Sequence, residues 1–109
     1  MNNLTKDAMK LLCLMYKTYL DRRKNGSPKA KAKCFGSSAA IHASLLPKSL
    51  FEDVDETCRE LDRAQAVIVD YGDDVALRVE LSDKAIVYME NRFKNGVAGV
   101  MDFLTKFIP

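Results

Sequence analysis

The segment AVIVDYGDDVALRVEL, residues 66–81, decides the fold of this chain. Its first six residues are mostly β-branched or aromatic, which favours a strand. Gly72-Asp73-Asp74 is typical of a turn, and residues 75–81 alternate in the manner of a half-buried strand. The segment therefore predicts a β-hairpin. On this interpretation the second strand buries its four large apolar residues, Val75, Leu77, Val79 and Leu81.

Helical patterns precede the predicted hairpin. Apolar residues recur at helical spacing over residues 4–20, where Thr5 is a suitable N-cap. The apolar stripe of this helix is wide, so we expect burial on more than one side. A short helix is predicted over residues 39–45, capped by Ser37 or Ser38.

A third helix is predicted over residues 49–64. It begins with a capping box, in which Ser49 and Glu52 have the required spacing. The residues expected on its buried face are Leu50, Val54, Cys58 and Leu61.

Two further helices are predicted after the hairpin. Ser82 caps the first, over residues 83–93, and Asn95-Gly96 breaks it before a last helix over residues 97–108. The last helix has an apolar stripe, which consists of Val97, Val100, Met101, Leu104, Phe107 and Ile108. This stripe can fold back on the first helix of its own chain or pack against a second copy.

Residues 21–36 differ in character from the segments around them. Residues 25–28, NGSP, have the composition of a loop. Residues 29–35, KAKAKCF, alternate charged residues with small or apolar ones. That alternation fits a short edge strand or an extended arm.

Length and composition limit the possible classes of protein. The chain has 109 residues, the size of one domain, and a formal net charge of +2, which neither demands nor excludes a nucleic-acid partner. Three widely spaced cysteines indicate reduced thiols rather than a disulfide framework. The first apolar run, Leu11 to Met15, is too short to span a membrane. We therefore expect a cytoplasmic protein without a membrane partner.

Recognisable catalytic and metal-binding motifs are missing from the sequence. There is no P-loop, no dinucleotide fingerprint and no nucleophile elbow. His42 is the only histidine and no Cys-x-x-Cys pair occurs, so we expect neither a metal site nor a cofactor. The sequence thus favours a binding protein over an enzyme.

Residues 37–90 resemble the core of a winged-helix domain of the bacterial transcriptional-regulator type. Residues 39–45 resemble the first helix of the helix-turn-helix, and residues 49–64 resemble its recognition helix. The stretch LDRAQAVI, residues 61–68, resembles the family's entry into the wing, and LSDKAIVYME, residues 81–90, resembles the exit.

The resemblance implies an α+β fold, a winged helix-turn-helix with a short β-hairpin wing and an added C-terminal helix. Residues 1–109 would form a single domain, with residues 1–94 as its core and residues 95–109 as the added helix. The resemblance also implies a regulator that binds double-stranded DNA as a homodimer. The dimer contacts would be Val97, Val100, Met101, Leu104 and Phe107.

Charge is segregated along the chain. Residues 22–48 contain seven basic residues and no acidic one. Clustered lysines and arginines can contact phosphates, but they can also be a solvated loop that protects a sheet edge. On the first interpretation the phosphate contacts are Arg22, Arg23, Lys24, Lys29, Lys31 and Lys33, with Lys48 and Ser49 at the start of the recognition helix.

The predicted recognition helix is acidic, unlike the usual helix of this kind, which offers basic or amide side chains to DNA. Its exposed carboxylates are predicted to be Glu52, Asp53, Glu56 and Glu60. Pairs such as Asp55–Arg59 and Glu56–Arg59 could neutralise part of this charge. The alternative function is therefore a winged-helix module that binds a basic protein partner through this helix.

Overall fold

The computed structural model describes residues 1–107, which form an α+β domain with a three-stranded antiparallel sheet. The helices are α1 (Lys6–Lys24), α2 (Lys29–Ala32), α3 (Ser38–Leu45), α4 (Phe51–Arg63), α5 (Asp83–Arg92) and α6 (Val97–Leu104), and a 3-10 turn (Thr105–Phe107) follows α6. The strands are β1 (Cys34–Gly36), β2 (Val67–Gly72) and β3 (Val75–Leu81). The α+β class is confirmed. The predicted end of the last helix, Ile108, lies outside the described residues.

The long helix α1 is the centre of the core. Thr5 caps it, since its side chain accepts a hydrogen bond from the Ala8 N–H. Seven residues of α1 are buried, and the helix contacts α2, α3, α4 and α6. Burial on more than one side is therefore confirmed. The helix continues four residues beyond the predicted end at Leu20, to Lys24.

The hairpin predicted over residues 66–81 is confirmed. Strands β2 and β3 pair antiparallel, and Asp73 and Asp74 form the turn with φ of 51° and 62°. Positive φ at both central residues is typical of a type I′ turn, whose twist matches that of the two flanking strands.

The predicted buried face of β3 is wrong at Leu77. Tyr71 pairs with Ala76 and Asp70 pairs with Arg78, so Leu77 is an extra residue in a β-bulge. The extra residue shifts the two-residue alternation by one position, so Ala76 rather than Leu77 lies on the same face as Val79. Ala76 and Val79 are consequently buried, and Leu77 is 50% exposed.

The capping box predicted at Ser49 is also wrong. Helix α4 begins at Phe51, and its N-cap, Leu50, makes no side-chain capping bond. The Ser49 N–H bonds to the carbonyl of Leu46, which holds Ser49 in the turn before the helix. Leu50 is 68% exposed rather than buried, whereas the other predicted core residues of α4 are buried.

The basic segment, residues 29–35, is mostly not a strand. Residues 29–32 form the single turn of α2, and only Cys34–Gly36 is extended. Strand β1 lies at one edge of the sheet, in the order β1-β3-β2. The edge-strand prediction therefore holds for two of the seven residues, Cys34 and Phe35. Within residues 1–107 the helices are all too short or too polar to cross a membrane.

Candidate nucleic-acid interface

Arg22, the first predicted phosphate contact, is turned toward its own chain. Its Nη1 donates hydrogen bonds to the carbonyls of Ala32, at 3.2 Å, and Cys34, at 2.6 Å. The guanidinium also lies over the Phe35 ring, 4.6 Å from the ring centre. Arg22 thus fastens α2 and β1 to the end of α1 through Nη1.

Lys33 is likewise engaged within the fold. Its side chain is only 16% exposed, and Nζ lies 3.0 Å from Asp83 and 3.9 Å from Glu80. The hydrogen bond to Asp83 raises the pKa of Lys33, and the same bond lowers the pKa of the Asp83 carboxyl. Lys29 lies 3.9 Å from the same carboxylate. Both lysines are therefore compensated by α5 and β3.

The other basic residues between 22 and 33 that do not pair with a carboxylate are exposed. Arg23 donates to the Ser27 carbonyl at 3.1 Å, while Lys24 and Lys31 form no ion pair with any residue between 1 and 107. We call Arg23, Lys24 and Lys31 the basic patch. It contains three of the six basic residues between 22 and 33 that were predicted to contact phosphates.

Lys48 and Ser49 lie far from the basic patch. Ser49 lines a groove with Asp7 and Lys10, in the N-terminal half of α1. The basic patch starts at the C-terminal end of the same helix. Twelve residues of helix between Lys10 and Arg22 correspond to about 18 Å. The predicted DNA-binding residues are therefore divided between two places.

Asp55 of α4 is a buried anchor rather than a surface charge. Its carboxylate accepts hydrogen bonds from the Ser38 hydroxyl at 2.7 Å, the Ala76 N–H at 2.9 Å and Arg59 Nε at 3.0 Å. Burial alone would raise the pKa of Asp55, but these three bonds outweigh it and lower that pKa. The carboxylate ties α3, α4 and β3 together.

Arg59 and Asp62, further along α4, contact the β2–β3 hairpin. Arg59 donates to the Asp74 carbonyl at the hairpin turn and lies over the Tyr71 ring, 4.9 Å from its centre. The Tyr71 hydroxyl donates to Asp62 at 2.6 Å, and burial together with this bond raises the pKa of Tyr71 to about 12. These residues hold the hairpin against α4.

The two charge pairs predicted within α4 differ in outcome. The Asp55–Arg59 pair is confirmed, whereas Glu56 pairs with Arg63, at 3.2 Å, and not with Arg59. Glu60 is also occupied, because its carboxylate accepts the Thr5 N–H at 2.8 Å and the Thr5 hydroxyl at 2.7 Å.

The exposed carboxylates of α4 are Glu52, Asp53 and Glu56. We call these three residues the acidic face of α4. Glu52 and Glu56 are one helical turn apart and therefore adjacent on the surface. Asp53 lies on the side toward α1, in the groove that Asp7 and Lys10 line. The exposed surface of α4 is thus acidic at the end nearest the α3–α4 turn.

Two of the three cysteines are buried, and the third, Cys34, is half-buried. Burial raises the pKa of Cys13 to about 11 and that of Cys58 to about 12, so both thiols stay protonated. His42 contacts the Ser49 carbonyl through Nε2 at 2.7 Å, and its ring meets Phe51 edge-on. Residues 1–107 contain no group of His, Cys, Asp or Glu that could hold a metal ion.

The predicted dimerisation stripe is largely used within the chain. Helix α6 packs against α1, and Val100 is fully buried in the core. Val100 is therefore buried within its own chain and exposes no surface to a second copy. Met101 is 43% exposed, and the other residues of the stripe are half-buried, namely Val97, Leu104 and Phe107.

Comparisons of this chain with protein-family models, with curated proteins and with solved structures found no match.

Proposed function

We propose that this chain is a winged-helix module that binds a basic surface of another protein through α4. The winged-helix assignment is supported by the order of α1, β1, α3, α4 and the hairpin, and by the sheet order β1-β3-β2. In such a domain α4 occupies the place of the recognition helix, which presents its exposed side to a partner.

The acidic face of α4 is the observation on which this function rests. Glu52 and Asp53 form no ion pair within residues 1–107, and Glu56 is only partly compensated by exposed Arg63. The other charged side chains of α4, Asp55, Arg59, Glu60 and Asp62, are taken up by contacts within the fold. A duplex would place phosphates against these carboxylates, whereas lysines and arginines of a protein would complement them.

DNA binding, with a role in transcription, is the second candidate function. It is supported by the basic patch, whose side chains are exposed and lie away from the acidic face. Binding of this kind would contact the phosphate backbone and depend strongly on salt.

A pair of titrations distinguishes the two functions. We expect a Lys/Arg-rich amphipathic helical peptide to bind the wild-type chain and to shift the amide resonances of α4. The E52Q/E56Q variant should bind this peptide up to about fivefold more weakly for each charge removed, the upper range for an exposed pair. The matched control is E90Q/D102N, which removes two exposed carboxylates from other helices and should bind as the wild type does.

The same proteins are then titrated with a fluorescent DNA duplex at several salt concentrations. Under the proposal, affinity for the duplex is weak and K24Q/K31Q changes it little. If instead the duplex binds tightly, and K24Q/K31Q flattens the plot of log affinity against log salt by about two units, phosphate contacts are established. That result, with no peptide binding, would replace the proposed function by DNA binding.

A further inference from the structure

A cavity of about 440 Å³ lies where the start of α1, the end of α5 and the turn after α6 meet. Its volume is within the range of roughly 300–1,000 Å³ that is usual for small-molecule sites. The apolar part of its wall consists of Leu4, Met9, Phe103 and Phe107. The acidic face of α4 contributes nothing to this wall, so the cavity is separate from the surface described under the proposed function.

Three basic side chains, those of Lys6, Arg92 and Lys106, complete the charged part of the wall, and no described residue of the wall is an aspartate or glutamate. Within residues 1–107 none of the three forms an ion pair. Glu60 approaches through its bonds to Thr5, but both of its carboxylate oxygens are engaged there. The cavity therefore combines positive charge with an apolar wall.

The aromatic residues in this wall are arranged for packing and not for stacking on a base. The Phe103 ring meets Phe93 and Phe107 edge-on, each with 5.5 Å between ring centres. Arg92 and Lys106 both lie over the Phe103 ring, at 4.8 and 5.2 Å from its centre. A nucleic-acid base needs an open ring face, which Phe103 does not provide.

We propose that this cavity binds a small amphipathic anion, a carboxylate with an alkyl chain of medium length. The alkyl chain of the ligand would lie along Leu4, Met9 and Phe107, and its apolar surface would be removed from water there. The carboxylate would lie among Lys6, Arg92 and Lys106. Arg92 donates from Nη1 to the Tyr88 hydroxyl at 3.2 Å, and its Nε and Nη2 are the donors that would meet the carboxylate.

The test uses decanoate as the probe, below the concentration at which it forms micelles. We expect saturable binding by calorimetry and amide shifts confined to residues 2–9 and 92–107. Decyltrimethylammonium has a similar chain with the opposite charge, and acetate has the charge without the chain. Both should bind at least tenfold more weakly than decanoate, since each lacks one of the two complementary features.

The variant K6Q/K106Q removes two of the charges at exposed positions. It should weaken decanoate binding by up to about fivefold for each charge, while K24Q/K31Q, with one change at the C-terminal end of α1 and one in α2, should leave it unchanged. Circular dichroism should give both variants the melting temperature of the wild type. Equal affinity for decanoate and decyltrimethylammonium would overturn the proposal, as would unchanged decanoate binding by folded K6Q/K106Q or the absence of binding to the wild type.

Discussion

Asp55 carries a negative charge in a buried position, which is costly unless the charge is hydrogen-bonded. Three donors surround it, and two of them come from elements distant in sequence, Ser38 and Ala76. Asp53, two residues earlier on the same helix, is exposed. The two aspartates therefore provide a matched comparison of a buried and an exposed carboxylate.

We expect D55N to lower the free energy of unfolding by about 1–3 kcal/mol, because the amide cannot accept all three hydrogen bonds and leaves buried donors unsatisfied. D53N should change it by less than ~0.5 kcal/mol, as is usual for surface positions. Urea denaturation at neutral pH measures both. Equal effects of the two substitutions would contradict the anchoring role of Asp55.

The contribution of Asp55 should also depend on pH. Its pKa is lower in the folded protein than in the unfolded chain, where aspartate titrates near 3.9. The stabilisation is therefore complete above the unfolded pKa and is lost as the pH falls through the folded pKa. We expect the difference in stability between wild type and D55N to shrink when urea denaturation is repeated below about pH 4. A difference that grows in acid would have the wrong sign.

The burial of Asp55 and its bonds to Ser38 and Ala76 could not be predicted from the sequence, whereas its pairing with Arg59 and the helix caps could. Thr5, Ser37 and Ser82 cap helices as expected, because a cap acts within three residues of itself. Asp55 and Asp53 look alike in sequence, and only the folded positions of Ser38 and Ala76 separate them. The failure at Ser49 is of the same kind, since the turn after α3 displaced the start of α4.

At the scale of elements, periodic patterns predicted the helices and the hairpin, and irregular features were missed. Alternation in β3 is regular in the sequence, but a bulge at Leu77 reverses the faces of the residues before it. Bulges arise from strand pairing and turn geometry, so the residues of one strand do not reveal them. The basic segment shows the same limitation, because alternation could not distinguish the short helix α2 from a strand.

Helix α6 provides a test of how the C-terminal stripe is used. We expect V100A to lower the free energy of unfolding by roughly 2 kcal/mol, because it removes two buried carbon groups and leaves a cavity. The neighbouring M101A should have a much smaller effect, since Met101 is 43% exposed. Denaturant titration of the dilute protein distinguishes them. A larger loss for M101A would place the stripe between chains after all.

At the scale of the whole molecule, charge segregation in the sequence did not become one charged face. Arg22 and Lys33 turn inward to carbonyl and carboxylate groups, and Lys48 lies toward the other end of α1. The sequence correctly separated basic from acidic stretches. It could not indicate which side chains the fold would use for itself, because those contacts join residues up to 55 positions apart.

The exposed apolar surface of the protein bears on whether it forms a dimer. A stable dimer buries about 1,200–2,000 Å² in total, and its core is formed by contiguous apolar surface. Within residues 1–107, the exposed large apolar residues come from the turn before α4, the hairpin, α5 and α6, and are Leu50, Ile68, Tyr71, Leu77, Val87 and Met101. Helix α6 contributes only Met101 to this set, because Val100 packs in its own chain.

We therefore expect the intact chain to be a monomer at micromolar concentration, in contrast to the homodimer implied by the winged-helix resemblance. Size-exclusion chromatography with light scattering gives the mass directly. M101E should leave that mass unchanged, because its glutamate would point into water. If the wild type has the mass of a dimer and M101E that of a monomer, α6 is the dimer interface. In such a dimer Val100 would still pack within its own chain, and the second copy would contact only the exposed part of the stripe, at Met101.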